Sequence, residues 1–475
     1  SMIIRIFKSM GGRMVFLKRT SIFTVCLTLS LALVSGEYEA NQAGMSHERL
    51  EKIAPALTNL YLKNGKFPGF ISAIARKGKV VHYETMGFSD LETQEPLQKD
   101  SLFRIYSMSK PITGVALMIL LEEGKLRLND PVSLYIPEFS KTKVLIVNDD
   151  GTTELTDQTK QMTIRDLATH TSGIAYDFTA NDELAEIYRQ NKLSPYFTFG
   201  GDEVTPESLA KGIISSNKPF SSICDFAENL ALKAPLMHQP SENYTYSMGM
   251  DVLGCVIERA SGQAFNKFLK ERIFKPLGMK DTFFSVPESK RERFTSLYAE
   301  LKDLREYFPD LDSKLPKDLT MLKVDGKKTS PYFDEATVFD GGSGLVSSTE
   351  DYLKFAQMLL NGGRLGDQRI LSRKSIELMS SNHLPESFAS DAYLETAGGY
   401  RRGAGFGLTV GVILDPGKAG QYGSRGVYFW GGAASTIFWI DPEEELVAVL
   451  MTQLLGSSEL LRETYSALVY QAIDD

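Results

Sequence analysis

The chain has 475 residues, 43% of them hydrophobic and 24% charged, an ordinary globular composition with material for a large core. Its formal charge is -8. Without the first 36 residues, 47 basic residues face 60 acidic ones, a balance of -13. No Lys/Arg-rich run remains to contact phosphates, so nucleic acid is not expected as a partner.

The first 36 residues read as a leader. Arg5, Lys8, Arg13, Lys18 and Arg19 are its charges, and an apolar run from Ile22 to Val34 ends at Ser35-Gly36. A basic end, a short apolar core and a small-residue exit make a secretory signal, short for a membrane span of about 20 residues, with an uncleaved anchor as the alternative reading. The protein is therefore expected to be exported to the periplasm or the medium of a bacterium. Cys26 lies inside the apolar run and does not suggest lipid attachment, and Met14 is a second candidate start.

Beyond the leader, Leu50, Ile53, Leu57, Leu60 and Tyr61 recur at helical spacing up to Asn64-Gly65. Phe70–Ala75 and Val80–Met86 read as a hairpin turning at Lys77-Gly78-Lys79. Helices are expected at Ser107–Glu123, Thr163–His170, Pro206–Ser215, Met248–Ser261, Ala264–Ile273 and Thr349–Asn361, the last with Thr349 as N-cap. Lys141–Lys160 and Glu288–Pro331 read as surface insertions. Gly405–Leu414, Ala434–Ile440 and Leu446–Met451 read as strands, and Glu459–Ile473 as a closing helix. Strands at both ends with helices between predict an α+β fold: one antiparallel sheet flanked by helices, with a mainly helical part inserted. In residues, 37–475 form one domain, with its α/β part near 45–100 and 335–475 and its helical part near 101–334.

Without the leader two cysteines remain, Cys224 and Cys255. They could pair, but Cys255 sits in the apolar stretch Val252–Ile257 and reads more readily as a small buried hydrophobe. His47, His82, His170, His238 and His383 are far apart, and no cluster has zinc spacing. No metal or cofactor is expected.

Ser107-Met108-Ser109-Lys110 opens a predicted helix, where residues three apart share a face. A serine in the first turn lies among unpaired N–H groups, and its own amide can help hold an oxyanion. Pro111 is tolerated there, because first-turn residues lack intrahelical N–H partners. Alone the motif says little: Ser140/Lys143 and Ser215/Lys218 repeat it, and Ser107 could simply be an N-cap.

The surroundings carry the argument. Phe103-Arg104-Ile105-Tyr106-Ser107-Met108-Ser109-Lys110-Pro111 is followed by Glu123-Gly124-Lys125-Leu126 and Asp130-Pro131-Val132. Further on come Leu167-Ala168-Thr169-His170-Thr171-Ser172-Gly173, Gly341-Gly342-Ser343-Gly344-Leu345 and Ser347-Ser348-Thr349-Glu350-Asp351. In this order the motifs resemble the serine β-lactamase and penicillin-binding-protein superfamily, in its class C β-lactamase-like (peptidase S12-type) branch. The likeness runs from about Gly44 to the C-terminus and is greatest to the bacterial esterase members.

The resemblance implies the β-lactamase/transpeptidase-like fold and assigns roles. Ser107 becomes the nucleophile, with Lys110 and Tyr246 as its catalytic partners. Tyr246 is preferred over Tyr244 because Tyr246-Ser247 directly precedes a helix. The family's Tyr-x-Asn becomes Tyr246-Ser247-Met248, and a thioether cannot replace the asparagine's amide. Its lysine- or histidine-led third motif becomes Trp430-Gly431-Gly432-Ala433, as in the esterase sub-branch. By that match the Ser107 and Ala433 amides form the oxyanion hole, and Trp430, Gly431, Gly432 and Met248 face the substrate. His170 reads as a helix-end residue favourable to the dipole and not as a catalytic base, since no Gly-x-Ser-x-Gly surrounds Ser107.

The implied function is a serine hydrolase forming an acyl-enzyme, most directly a carboxylesterase with weak β-lactam hydrolysis. The implied partner is a small ester or amide, with β-lactams or peptidoglycan-derived material as other candidates. The alternatives are a β-lactamase or D-Ala-D-Ala carboxypeptidase of the penicillin-binding-protein kind, and a non-catalytic cell-envelope binding or scaffolding protein. Trp430 in place of a cation disfavours carboxylate-bearing substrates and favours neutral or aromatic ones.

Overall fold

The computed structural model describes residues 39–196, 214, 219–304, 320–385, 388, 402–456 and 459–475. The leader, Cys26 and nearly all of the helix expected at Pro206–Ser215 lie outside these residues.

One eight-stranded antiparallel sheet organises the chain, with strands from both ends of the sequence. Its order is Ala404–Phe406, Gly411–Ile413, Tyr428–Gly431, Ile437–Asp441, Leu446–Met451, Gly69–Arg76, Lys79–Asp90 and Glu95–Pro96. Gly69–Arg76 joins the two groups, pairing Ile71 with Met451 on one side and with Thr85 on the other. The central strands are apolar on both faces because both faces are covered. Ile71, Ala73, Val447 and Val449 pack with the catalytic-side helices. Phe70, Ile74, Ala448 and Leu450 pack under the N- and C-terminal helices.

Several predicted boundaries move. The apolar run Gly405–Leu414 is two strands around a turn with Thr409 at φ 68°. The first helix is broken into His47–Leu50, Ile53–Leu57 and Thr58–Leu62. The N-cap of Thr349–Leu360 is Ser348, whose side chain accepts from Asp351 N. The sequence placed Thr349 there, but a cap needs extended backbone and a free oxygen, and Ser348 has both.

Cys224 and Cys255 form a disulfide with Cα atoms 4.9 Å apart. Cys255 is fully buried, as expected, but as half of a cross-link. The covalent bond joins helix Ile223–Lys233 to helix Gly249–Ser261, which carries the segment following Tyr246.

Lys141–Lys160 is a hairpin, Val144–Val147 with Thr153–Thr156, anchored by buried Val144 and Leu145. Glu288–Pro331 is more than a surface insertion. In a second sheet its Leu297–Glu300 pairs with Met321–Asp325 on one side and with Leu454–Leu455 on the other. Asp325 on that sheet receives Arg104 Nε at 2.8 Å and Nη2 at 2.6 Å, with both side chains buried. Arg104 also lies 4.0 Å over the Phe294 ring and donates to Thr295 O. The insertion thus holds the strand three residues before Ser107. Removing one member of a buried ion pair strands the other, so Arg104→Met should lose about 3–5 kcal/mol in chemical denaturation, despite its similar volume.

A second buried polar chain links the sheet to the last helix. His82 Nε2 meets Ser72 Oγ at 3.0 Å, and Ser72 Oγ meets Tyr465 OH at 2.8 Å. Burial lowers the His82 pKa to about 4, whereas the unfolded chain takes up that proton near 6.5. The stabilisation is therefore present above pH 6.5, falls as pH drops towards 4, and changes little below that. Between pH 7 and pH 4, His82→Gln should remove about 3 kcal/mol of pH dependence from the unfolding free energy.

Candidate active site

Ser107 lies on a tight turn, Tyr106–Met108, and the long helix begins after it at Ser109–Glu122. The helix thus starts two residues later than expected and ends one residue earlier. Tyr106 is held at φ 41°, an unfavourable angle for a residue with a Cβ, and such local strain recurs at functional turns. The turn is fixed from outside: Tyr352 OH donates to Met108 O at 2.9 Å, and Leu345 N donates to Ser109 Oγ at 3.1 Å. Ser109 to Leu120 are all buried, so this is a central helix and not an amphipathic surface one. Pro111 falls in its first turn, where no N–H is required.

Lys110 is fully buried. Its Nζ donates to Ser107 Oγ at 3.0 Å, Tyr176 OH at 3.0 Å and Gly342 O at 2.9 Å. Tyr246 OH donates to the same Ser107 Oγ at 2.6 Å, and Lys110 Nζ sits 4.8 Å from the Tyr246 ring centre. Ser107 and Tyr246 keep partial exposure while Lys110 has none. Tyr244 is buried, its ring against His170 and Phe406.

The Ser140/Lys143 copy of the motif is idle: Lys143 pairs with exposed Asp157. Ser215/Lys218 lies outside the described residues.

Trp430 ends the strand Tyr428–Gly431, its ring 5.6 Å from Tyr246 and 5.3 Å from Phe406. Gly432 follows. A Cβ there would stand 2.3 Å from Ile105 O, so only glycine lets this edge approach the turn bearing Ser107. Ala433 is exposed in the turn after the strand. Met248, expected against substrate, is instead fully buried in the core as the N-cap residue of Gly249–Ser261. The polar amide position of the family motif has become a packing position.

His170 also differs from expectation. It is fully buried at φ 58°, past the end of Ile164–Ala168, and Ser247 N donates to its Nδ1 at 3.2 Å. Burial, then the nearby Lys110, push its pKa well below the ordinary value. A neutral imidazole gains nothing from a helix dipole. Its ring instead packs 4.8 Å from Tyr246 and supports that side chain.

Sequence reasoning missed Tyr176 and the Gly342 carbonyl. Tyr176 lies three residues after a recognised motif, but no spacing rule points to it. Burial, then neighbouring Tyr246, raise its pKa well above the usual value, so it serves Lys110 as a neutral acceptor. Gly341-Gly342 was visible only as a motif returning the chain to the sheet.

A basic group hydrogen-bonded to two hydroxyls, one of them a serine's, is an arrangement that acyl transfer uses. The Beta-lactamase family sequence profile matches residues 52–471. Protein Rv1367c of Mycobacterium tuberculosis is 31% identical over 397 residues, which is 82% of this chain and 86% of that one. Esterase EstB of Burkholderia gladioli is 29% identical over 406 residues, covering 82% and 87%. Among solved structures, Simvastatin Synthase (LovD) from Aspergillus terreus shares the fold with a TM-score of 0.68 at 22% identity, covering 89% of this chain and 98% of that one. The chain belongs to the beta-lactamase family and is a serine hydrolase with the β-lactamase/transpeptidase-like fold.

Proposed function

We propose that the protein is a carboxylesterase for neutral, apolar or aromatic acyl esters, acting through an acyl-enzyme on Ser107. The observation that carries this reading is the ring of Trp430 beside Tyr246, where the family motif has a cation for substrate carboxylates. Tyr176 extends the aromatic wall, with the exposed Phe178 stacked on it at 4.9 Å. Such a surface favours apolar groups and gives a carboxylate no partner. The esterase EstB among the relatives supports the same direction.

In the proposed cycle, Ser107 Oγ passes its proton to the Lys110/Tyr246 pair as it attacks the ester carbonyl. The amides of Ser107 and Ala433 hold the oxyanion. Tyr246 passes that proton to the departing alcohol; in the second step it takes one from the attacking water and returns it to Ser107 Oγ as the acid leaves. A p-nitrophenyl ester, a chromogenic cephalosporin and a fluorescent penicillin separate the candidates. Ester turnover should dominate, falling at least about a thousand-fold in Ser107→Ala and about a hundred-fold or more in Tyr246→Phe. Faster cephalosporin turnover would instead identify a β-lactamase, and no reaction with any probe a binding protein.

We also propose export. The leader pattern supports it, and so does the Cys224–Cys255 cross-link, because disulfides persist in oxidising compartments. Expressed at full length in a Gram-negative host, the chain should appear in the periplasm shortened by about 36 residues in its intact mass, as a cleaved leader requires. An uncleaved chain in the cytoplasm would refute this.

A further inference from the structure

Two buried carboxyls lie beneath the site, and the proposed cycle does not use them. Asp251 is in the first turn of Gly249–Ser261, and Asp340 directly precedes Gly341-Gly342. Their exposures are 0% and 1%. The Gly342 N–H donates to Asp251 Oδ1 at 2.9 Å and to Asp340 Oδ1 at 2.9 Å. Asp340 also accepts from the Ser343 amide at 2.7 Å and hydroxyl at 2.6 Å. Asp251 Oδ2 meets no N–H or O–H donor among the described residues.

Two carboxyls this close, and dry, cannot both ionise cheaply. One proton resolves the conflict by turning acceptor against acceptor into a hydrogen bond. Burial, then the Asp340 charge and the hydrogen bond to it, raise the Asp251 pKa well above the carboxylate range. On its other side, Gly342 offers its carbonyl to Lys110 Nζ at 2.9 Å. The backbone of one glycine thus lies between the carboxyl pair and the catalytic amine, and a Cβ there would be 2.7 Å from Asp251 Oδ2.

Among the described residues, Tyr176 and Tyr196 face Asp251, and Tyr332 faces Asp340; burial raises the pKa of each well above the usual value. His170 faces Lys110 and is held neutral. The charge that the pair itself presents to Lys110 is set by how many protons it holds.

We propose that Asp251 and Asp340 share one proton, carried by Asp251, and so present a single negative charge across Gly342 to Lys110. They are positioning residues for the hydrolysis. The role rests on the reading of Lys110 as a working group, whereas the shared proton does not.

The proton is read directly by infrared spectroscopy of the protein labelled with carboxyl-13C aspartate. At pH 8, above the pKa of about 6 of buried Asp351, a protonated-carboxyl stretch that shifts in D2O should be present. It should vanish in Asp251→Asn. No such band in the wild type, or a band unchanged in Asp251→Asn, overturns the shared proton.

Function is read separately. Asparagine keeps the geometry and donates to Asp340 as the proton does, so Asp251→Asn should retain kcat within about threefold. Asp251→Leu cannot donate and should lose at least about tenfold in kcat with a smaller change in KM. Equal activity in the two variants overturns the positioning role. A band with no esterase activity in the wild type leaves the shared proton standing and removes the ester reading.

Discussion

The active site is organised around the burial of one amine. A basic side chain removed from water needs polar partners on every side, or its burial costs several kcal/mol. Lys110 finds them in three separate parts of the chain: Ser107 on its own turn, Tyr176 after the His170 segment, and the Gly342 carbonyl before the return to the sheet. Satisfying that amine brings these segments together, and Tyr246 completes the group through the Ser107 hydroxyl. Ser107 is positioned by the lysine's demand for partners as much as by its own turn.

A second buried basic group lies on the other side of Ser107. Arg104 ends the short strand before Ser107 and is held by Asp325 in the charged insertion. The strained turn at Tyr106 therefore lies between two buried basic groups, each tied to distant chain. Close approach of the Gly432 edge to Ile105 O then brings the sheet against the same turn. An insertion that looks like surface decoration in one dimension is a structural support of the site in three.

The departures from the family pattern fall at Met248 and Trp430, beside the Ser107, Lys110 and Tyr246 cluster. Met248 withdraws into the core, and Trp430 supplies an aromatic face where recognition by charge would occur. Ser107, Lys110 and Tyr246 of the family motifs are retained and joined by hydrogen bonds.

The sequence by itself determined the elements whose signals are local: the hairpin near Lys77-Gly78, the apolar strand Leu446–Met451, and the ordered motifs around Ser107, Tyr246 and Trp430. Periodicity, turn residues and motif order are all properties of neighbours along the chain. Only the tertiary structure decided the Cys224–Cys255 link, the burial of Met248, the neutral His170 and the Arg104–Asp325 pair. The same holds for Tyr176, Asp251 and Asp340, whose roles arise from distance, desolvation and the count of nearby charges. Those quantities depend on which distant segments meet, and residue spacing does not encode them.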